Sequence, residues 1–464
     1  MRFTLEEIRE VTQAEVLRVL ATNFEGVAID SRKCQKEQLF VALRGRRVDG
    51  HAFIGDALKQ GASGVLVERW EGDAETTVFV VPSTEEALLT LGKHASSRLR
   101  GVKIGITGTA GKTTCKHLFA HCLGQRFSVA LTPQSFNTVV GVSSSFANFD
   151  EHAAFVVVEA GISEKGEMEV LSGLIRPEVV VFTAFGEGHL EGLGSVLEVV
   201  EEKLKLLGEK TQRVYLNVDR GIPEECQVRD RVPQAEVFSF GASQRARLRL
   251  TSFELDVSRL LSRFTVVWEG TSFSFEAPIL AFEVAVASLP AIHFALEAGV
   301  PFEELRESLR AFRELPGRGR FFRWRNGVVI DDTYNANPLS MRKAVRLLLR
   351  FAQGGYSTYL VLGDMLELGD FAEEAHREIL ERIQVSPIRQ VLLFGPHFVD
   401  IARKEFAREV ERGRFVVLAS SEEGKAFLES LATAQEQWVV LLKGSRGMEL
   451  EAMMPEEWRS GLGD

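Results

Sequence analysis

Lys103-Ile104-Gly105-Ile106-Thr107-Gly108-Thr109-Ala110-Gly111-Lys112-Thr113-Thr114 reads as an apolar strand, a glycine-rich turn and the start of a helix. That order decides the fold class, because it is the arrangement that cradles nucleotide phosphates. Glycine lets backbone N–H groups approach an oxyanion, and the helix N-terminus adds a favourable dipole. Gly108, Thr109, Ala110, Gly111, Thr113 and Thr114 are the expected nucleotide-binding turn. Lys112 would reach the β- and γ-phosphates, and the Thr113 hydroxyl would ligand Mg²⁺. The general phosphate-loop pattern wants glycine five residues before Gly111, and Ile106 stands there. The motif is therefore the shorter form T-G-x-x-G-K-T-T. Beyond it Cys115, Leu118, Phe119, Cys122 and Leu123 recur at helical spacing, which predicts one buried helix face.

A chain of 464 residues should hold roughly three domains. The hydrophobic share of 45% is ordinary, and a net charge of −10 argues against nucleic acid or an anionic membrane as the main partner. No apolar run reaches the length of a membrane span. The first residues, Met1-Arg2-Phe3-Thr4-Leu5-Glu6-Glu7, hold no signal-peptide core. Four cysteines without a C-x-x-C pair argue against a zinc ribbon and for a reduced, cytoplasmic setting. Cys115 and Cys122 are expected as small core residues.

The chain divides into three α/β units, expected at 1–98, 99–314 and 315–464. In the first, Gln38–Leu43 and Gly64–Val67 are strand-like, with a helix near Phe53–Lys59. In the second, Phe155–Val158, Val179–Phe182 and Val214–Leu216 are unbroken apolar runs, as in parallel strands covered on both faces. From about 236 to 276 the pattern alternates, predicting a small appended antiparallel sheet. A boundary falls at Leu315-Pro316-Gly317-Arg318-Gly319. Past it, Val328–Asp331, Tyr359–Leu362, Val391–Phe394 and Val439–Leu442 are spaced as βαβ units of a doubly wound, Rossmann-like sheet.

Open α/β sheets place ligands beyond strand ends, and four polar features sit there. They are Glu159, His189 in Gly186-Glu187-Gly188-His189-Leu190-Glu191-Gly192, the run Asp331-Asp332-Thr333-Tyr334-Asn335-Ala336-Asn337-Pro338, and Lys443-Gly444-Ser445-Arg446. A carboxylate at Glu159 would hold Mg²⁺ against the nucleotide. A lysine, Lys203, follows His189 in the next segment. His117 and His121 have metal-ligand spacing, but no third ligand is near in sequence, so they are expected to face solvent.

Taken together, these residues resemble the Mur ligase family over nearly the whole chain. Thr107–Thr114 looks like its shortened phosphate loop, which accounts for Ile106. The resemblance implies Mg²⁺ ligands at Thr113, Glu159, His189 and a carbamylated Lys203, with Lys205 as the neighbouring alternative. It implies catalytic roles for Lys112, His189 and Lys203, and nucleotide contacts from Arg318, Asp332, Tyr334, Asn335 and Asn337. Ile29-Asp30-Ser31-Arg32 resembles part of a UDP-binding domain, giving Asp30, Ser31 and Arg32 as substrate contacts. Asn137 and Thr138 resemble a sugar-nucleotide contact. One stretch departs. Where the family reads H-N-x-x-N-A, this chain has Phe282-Glu283-Val284-Ala285-Val286-Ala287, which puts Val286 at the base-contacting asparagine.

The function so implied is ATP-driven amide formation, joining D-alanyl-D-alanine to UDP-MurNAc-tripeptide through an acyl phosphate, with ATP and about two Mg²⁺. A monomer is expected. Two other readings stay open. One is a relative adding the third amino acid, although its D-N-P-R signature is replaced here by Asn335-Ala336-Asn337-Pro338. The other is a nucleotide-sugar-binding protein without turnover.

Overall fold

The computed structural model describes residues 1–45, 48–73, 75–134, 136–186, 190–219 and 223–461, without the side chains of 190, 191 and 459–461. Three larger sheets follow one another along the chain. The first has the strand order Glu15–Arg18, Thr77–Val80, Gly64–Val67, Leu39–Val41, Val27–Ala28. The helix Thr84–Arg98 leaves this unit and packs on the helix Val139–Phe146 of the next. The approach is close: a Cβ on Gly92 would lie 2.7 Å from the Ser143 Cα. Phe3, Leu5, Ile8 and Phe24 thereby share one core with Val142 and Phe146.

The central sheet holds the expected apolar runs as fully buried strands. From one edge the order is Val129–Leu131, Phe155–Glu159, Val102–Thr107, Val179–Phe182, Arg213–Asn217, Glu236–Gly241, Leu248–Asp256, Leu261–Trp268, Thr271–Ala277. Pairing is parallel up to Leu248–Asp256 and antiparallel thereafter. This corrects one sequence expectation: the alternating segment is no separate sheet. Phe240 pairs with Leu248 and Gly241 with Arg249 in parallel, so the ribbon extends the central sheet. Leu248, Leu250, Phe264 and Val266 then join the core under the helix Phe282–Glu297. A register shift between Leu250 and Ser252 interrupts the ribbon. Its tip reaches the third unit: Leu260 and Leu280 lie in that unit's core, and the Tyr356 hydroxyl donates to the Val257 carbonyl at 3.3 Å.

The third sheet runs Arg320–Trp324, Gly327–Asp332, Trp438–Lys443, Ser357–Gly363, Gln390–Phe394, Phe415–Val417, parallel except for its first pair. Its two edge strands were not anticipated, because Arg320–Trp324 is charged and Phe415–Val417 is short. No helix among the described residues is long and apolar enough to cross a membrane.

Candidate active site

The central strand order creates the site. From Val102–Thr107 the chain moves to one side for Val129–Leu131 and Phe155–Glu159, then to the other for Val179–Phe182. The reversal opens a crevice at the strands' carboxyl ends, where such sheets bind ligands. The turn Gly108–Gly111 occupies it, and Lys112–Leu123 starts there. Gly108 has φ +148° and Gly111 φ +86°. A Cβ on Gly108 would lie 2.2 Å from the Thr183 hydroxyl oxygen. Gly108→Ala is therefore expected to distort the turn at a cost of about 1–3 kcal/mol, seen as weaker nucleotide binding by titration calorimetry.

The turn is cross-braced. Thr109 N–H donates to the Ala184 carbonyl at 2.6 Å, and the Thr183 hydroxyl donates to the Ala110 carbonyl at 2.7 Å. Lys112 Nζ folds back on the Gly108 carbonyl at 2.9 Å. The Thr113 hydroxyl donates to Glu159 at 2.8 Å, and Asn137 donates to the other Glu159 oxygen at 2.9 Å. Burial by itself would raise the Glu159 carboxyl, but Lys112, Lys116 and Arg318 outweigh it and hold the group below the usual carboxylate range.

Lys116 was missed in the sequence, although a lysine one turn past Lys112 on a helix with an apolar face was a signal. Its side chain is fully buried. Nζ donates to the Thr132 and Gln134 carbonyls at 2.8 and 2.6 Å and lies 3.6 Å from Glu159. One cation thus ties the phosphate-loop helix, the Glu159 strand end and the segment that carries Asn137.

Lys203 lies fully buried on the helix Val196–Leu204, and its Nζ has no hydrogen-bond partner among the described residues. Burial, then the nearby Lys112 charge, push its pKa well below that of an ordinary lysine, against the pull of Glu159 and Glu202. Lys205 points away and pairs with Glu202 at 2.7 Å. His189 lies outside the described residues. His117 and His121 are not solvent-facing as expected: the helix packs on Phe302–Ala311, so both rings are half-buried. His121 Nε2 donates to the Ser308 carbonyl at 2.8 Å, and burial pushes His117 down to about 4. No group of three or more His, Cys, Asp or Glu among the described residues is placed to hold a metal. Cys115 and Cys122 are buried core residues, as expected.

A cavity of about 440 Å³ opens between the central and third units. Thr109–Thr114, Asn137 and Glu159 line it from one side, and Arg318, Asp332, Tyr334, Asn335 and Asn337 from the other. Asp331 holds the Arg318 turn by accepting Gly317 N–H at 2.7 Å. The Arg318 guanidinium stacks 3.8 Å from the Tyr334 ring centre. Lys443 pairs with Asp332 at 2.6 Å, and Asn337 reaches the Thr109 carbonyl at 3.5 Å. Glu314, unforeseen in the sequence, also lines the cavity; burial, then Asp332, push its carboxyl up to about 8.

Four sequence candidates, Asp30, Ser31, Arg32 and Thr138, lie outside this cavity. Asp30 caps the short helix Ser31–Lys33 and pairs with Arg32 at 2.8 Å, and neither these two nor Ser31 lines the cavity. Thr138 caps the helix Val139–Phe146. Val286, placed at the base-contacting position by the sequence resemblance, does not line the cavity. It is buried in the central core, while Glu283, Val284 and Ala287 face the cavity. At 3.6 residues per turn, positions 283, 284 and 287 share a helix face and 286 does not. None of the three cavity-facing positions is an asparagine.

Comparison with known proteins places this geometry. The "Mur ligase family, catalytic domain" model matches residues 23–89, the "Mur ligase middle domain" model 106–287, and the "Mur ligase, glutamate ligase domain" model 317–446. The UDP-N-acetylmuramoyl-tripeptide–D-alanyl-D-alanine ligase of Bacillus subtilis is 31% identical over 447 residues, covering 95% of this chain and 94% of that one. The Treponema pallidum enzyme of the same name is 29% identical, with 94% of each chain covered. Among solved structures, MurF from Acinetobacter baumannii aligns with a TM-score of 0.84 at 24% identity, covering 100% and 99% of the two chains. MurF from Thermotoga maritima, solved with ADP, aligns at 0.78 and 24%, covering 95% and 98%.

Proposed function

The chain belongs to the Mur ligase family, and from that premise we propose that it joins D-alanyl-D-alanine to UDP-MurNAc-tripeptide, with cleavage of ATP to ADP and phosphate. The observation that carries the amine assignment is the 31% identity to the Bacillus subtilis ligase over 95% of this chain. The phosphate loop and its cross-braces support the nucleotide. The unit 1–98 takes the UDP-sugar through Asp30, Ser31 and Arg32, 99–314 binds ATP, and 315–464 closes on it and admits the amine. In this reading the protein works as a cytoplasmic monomer.

The reaction begins with two anions, the peptide carboxylate and the γ-phosphoryl group. Charge neutralisation and positioning therefore dominate the barrier. Lys112 would turn from the Gly108 carbonyl to the β- and γ-phosphates, and the loop N–H groups would hold the β-phosphate. Arg318, fixed by Tyr334 and Asp331, would face the same phosphates from the third unit. Attack transfers the phosphoryl group and releases ADP. The D-alanyl-D-alanine amine then attacks the acyl phosphate, and the tetrahedral intermediate expels phosphate. Asn337 on the Thr109 carbonyl makes closure of the third unit part of site formation and water exclusion.

The donors suit Mg²⁺: Thr113 and Glu159 offer hard oxygens on a shared hydrogen bond. Lys203 suits carbamylation, since a buried amine with no partner among the described residues, held towards its neutral form, is the nucleophile that CO₂ requires. The N–C bond forms with loss of one proton, and the cation becomes an anionic oxygen ligand. Together with His189 it would hold a second Mg²⁺, which supplies charge neutralisation when bound.

The test is phosphate release with UDP-MurNAc-tripeptide and a panel of amines. Release dependent on D-alanyl-D-alanine is expected. Nucleotide binding without amine-dependent release overturns the proposal. Lys112→Ala should lower kcat by about 10²–10³-fold, as loss of one transition-state donor does, with the unfolding midpoint unchanged.

A further inference from the structure

Away from the phosphate loop the cavity becomes an apolar slot. Leu280, Ala281, Val284 and Ala287 form one wall, and Ala344 and Leu347 of the helix Pro338–Gln353 form the other. A planar base fits such a slot, and its polar edge needs partners. The charged side chains that these two helix faces turn to the cavity are Glu283 and Lys343, on opposite walls. Lys343 makes no hydrogen bond or ion pair among the described residues; burial lowers its pKa, with the Glu283 charge opposing. One Glu283 oxygen is held by Arg346, a turn beyond Lys343, while the other has no bond among the described residues.

We propose that Lys343 and Glu283 read the nucleobase, and that this pair accepts either purine. The inference rests on the nucleotide-binding reading above. An ammonium only donates, and N7 accepts in both purines, as does guanine O6. A carboxylate only accepts, from adenine N6–H₂ or from guanine N1–H and N2–H₂. An amide fixed on the wall could oppose guanine O6 with its own carbonyl, but Ala287 offers no such group. Lysine's flexible stem adjusts to either acceptor. A pyrimidine lacks N7 and leaves part of the slot empty.

The experiment is displacement of a fluorescent ADP derivative by ADP, GDP and CDP, paired with phosphate release using ATP and GTP. GDP should bind within about tenfold of ADP, and CDP more than about tenfold weaker than both. Lys343→Met should weaken ADP and GDP alike by about tenfold, with Lys343→Arg recovering most of the loss. GDP binding more than about a hundredfold weaker than ADP overturns the proposal, as does a Lys343→Met protein that binds like the parent. Binding is read without ligation, so normal purine binding with no amide product counts against the ligase reading alone. Failure of every nucleotide to bind removes both.

Discussion

Lys203→Ala is expected to abolish amide formation while leaving the chain folded. The native lysine is fully buried with an amine that has no partner among the described residues, so deleting it removes an unsatisfied polar group as well as methylenes. The cavity penalty and the relieved desolvation, each of about 1–3 kcal/mol, oppose one another. Activity has no such compensation. Loss of an anionic metal ligand costs several kcal/mol of transition-state stabilisation, or about three orders of magnitude in rate. Formate or acetate, small enough to enter the vacated space, should restore part of the rate. Steady-state kinetics with and without added carboxylate, beside a urea titration, checks both halves. An active, carboxylate-independent Lys203→Ala enzyme refutes the carbamate.

Lys116→Met should destabilise the protein by about 3–5 kcal/mol, the usual consequence of removing one partner from a buried ion pair. The thioether matches the stem in length, so little packing is lost. What is lost is the cation that the Thr132 and Gln134 carbonyls and Glu159 share. Glu159 would keep its bonds from Thr113 and Asn137. Denaturant unfolding of parent and variant gives the difference. Because Asn137 rides on the segment that Lys116 holds, the KM for the UDP-linked substrate should rise more than the KM for ATP. A variant with parental stability and an unchanged KM ratio would show that Lys116 only fills space.

These expectations show what a sequence carries. The phosphate loop was legible because its chemistry is local: strand, turn and helix N-terminus lie within twelve consecutive residues. Glu159, Asp332 and Asn337 were legible as polar breaks after apolar strands. The phase of the helix Phe282–Glu297 was not. Ala285 to Ala295 are buried without a break, so no polar stripe marks which face meets the cavity. Lys203 and Lys205 are two residues apart, and only burial separates the amine with no partner among the described residues from the one paired with Glu202. Lys343 and Glu283 stand sixty residues apart on different units, and no local pattern announces that they meet. The antiparallel ribbon was visible as alternation. Its place in the central sheet depends on the Phe240–Leu248 pairing, a choice made in three dimensions.

The ribbon also limits how the protein can be cut and recombined. With Leu260 and Leu280 embedded in the C-terminal core and Tyr356 bonded to Val257, the last 150 residues are not a self-contained module. A fragment beginning at Leu315 would expose the socket that those leucines fill, and the remainder would carry an unsheathed hairpin. Grafting this C-terminal unit onto a relative therefore requires residues 255–261 and 280 to travel with it. Any swing of the unit must carry the hairpin along, with the interrupted register at Leu250–Ser252 as the natural place to bend.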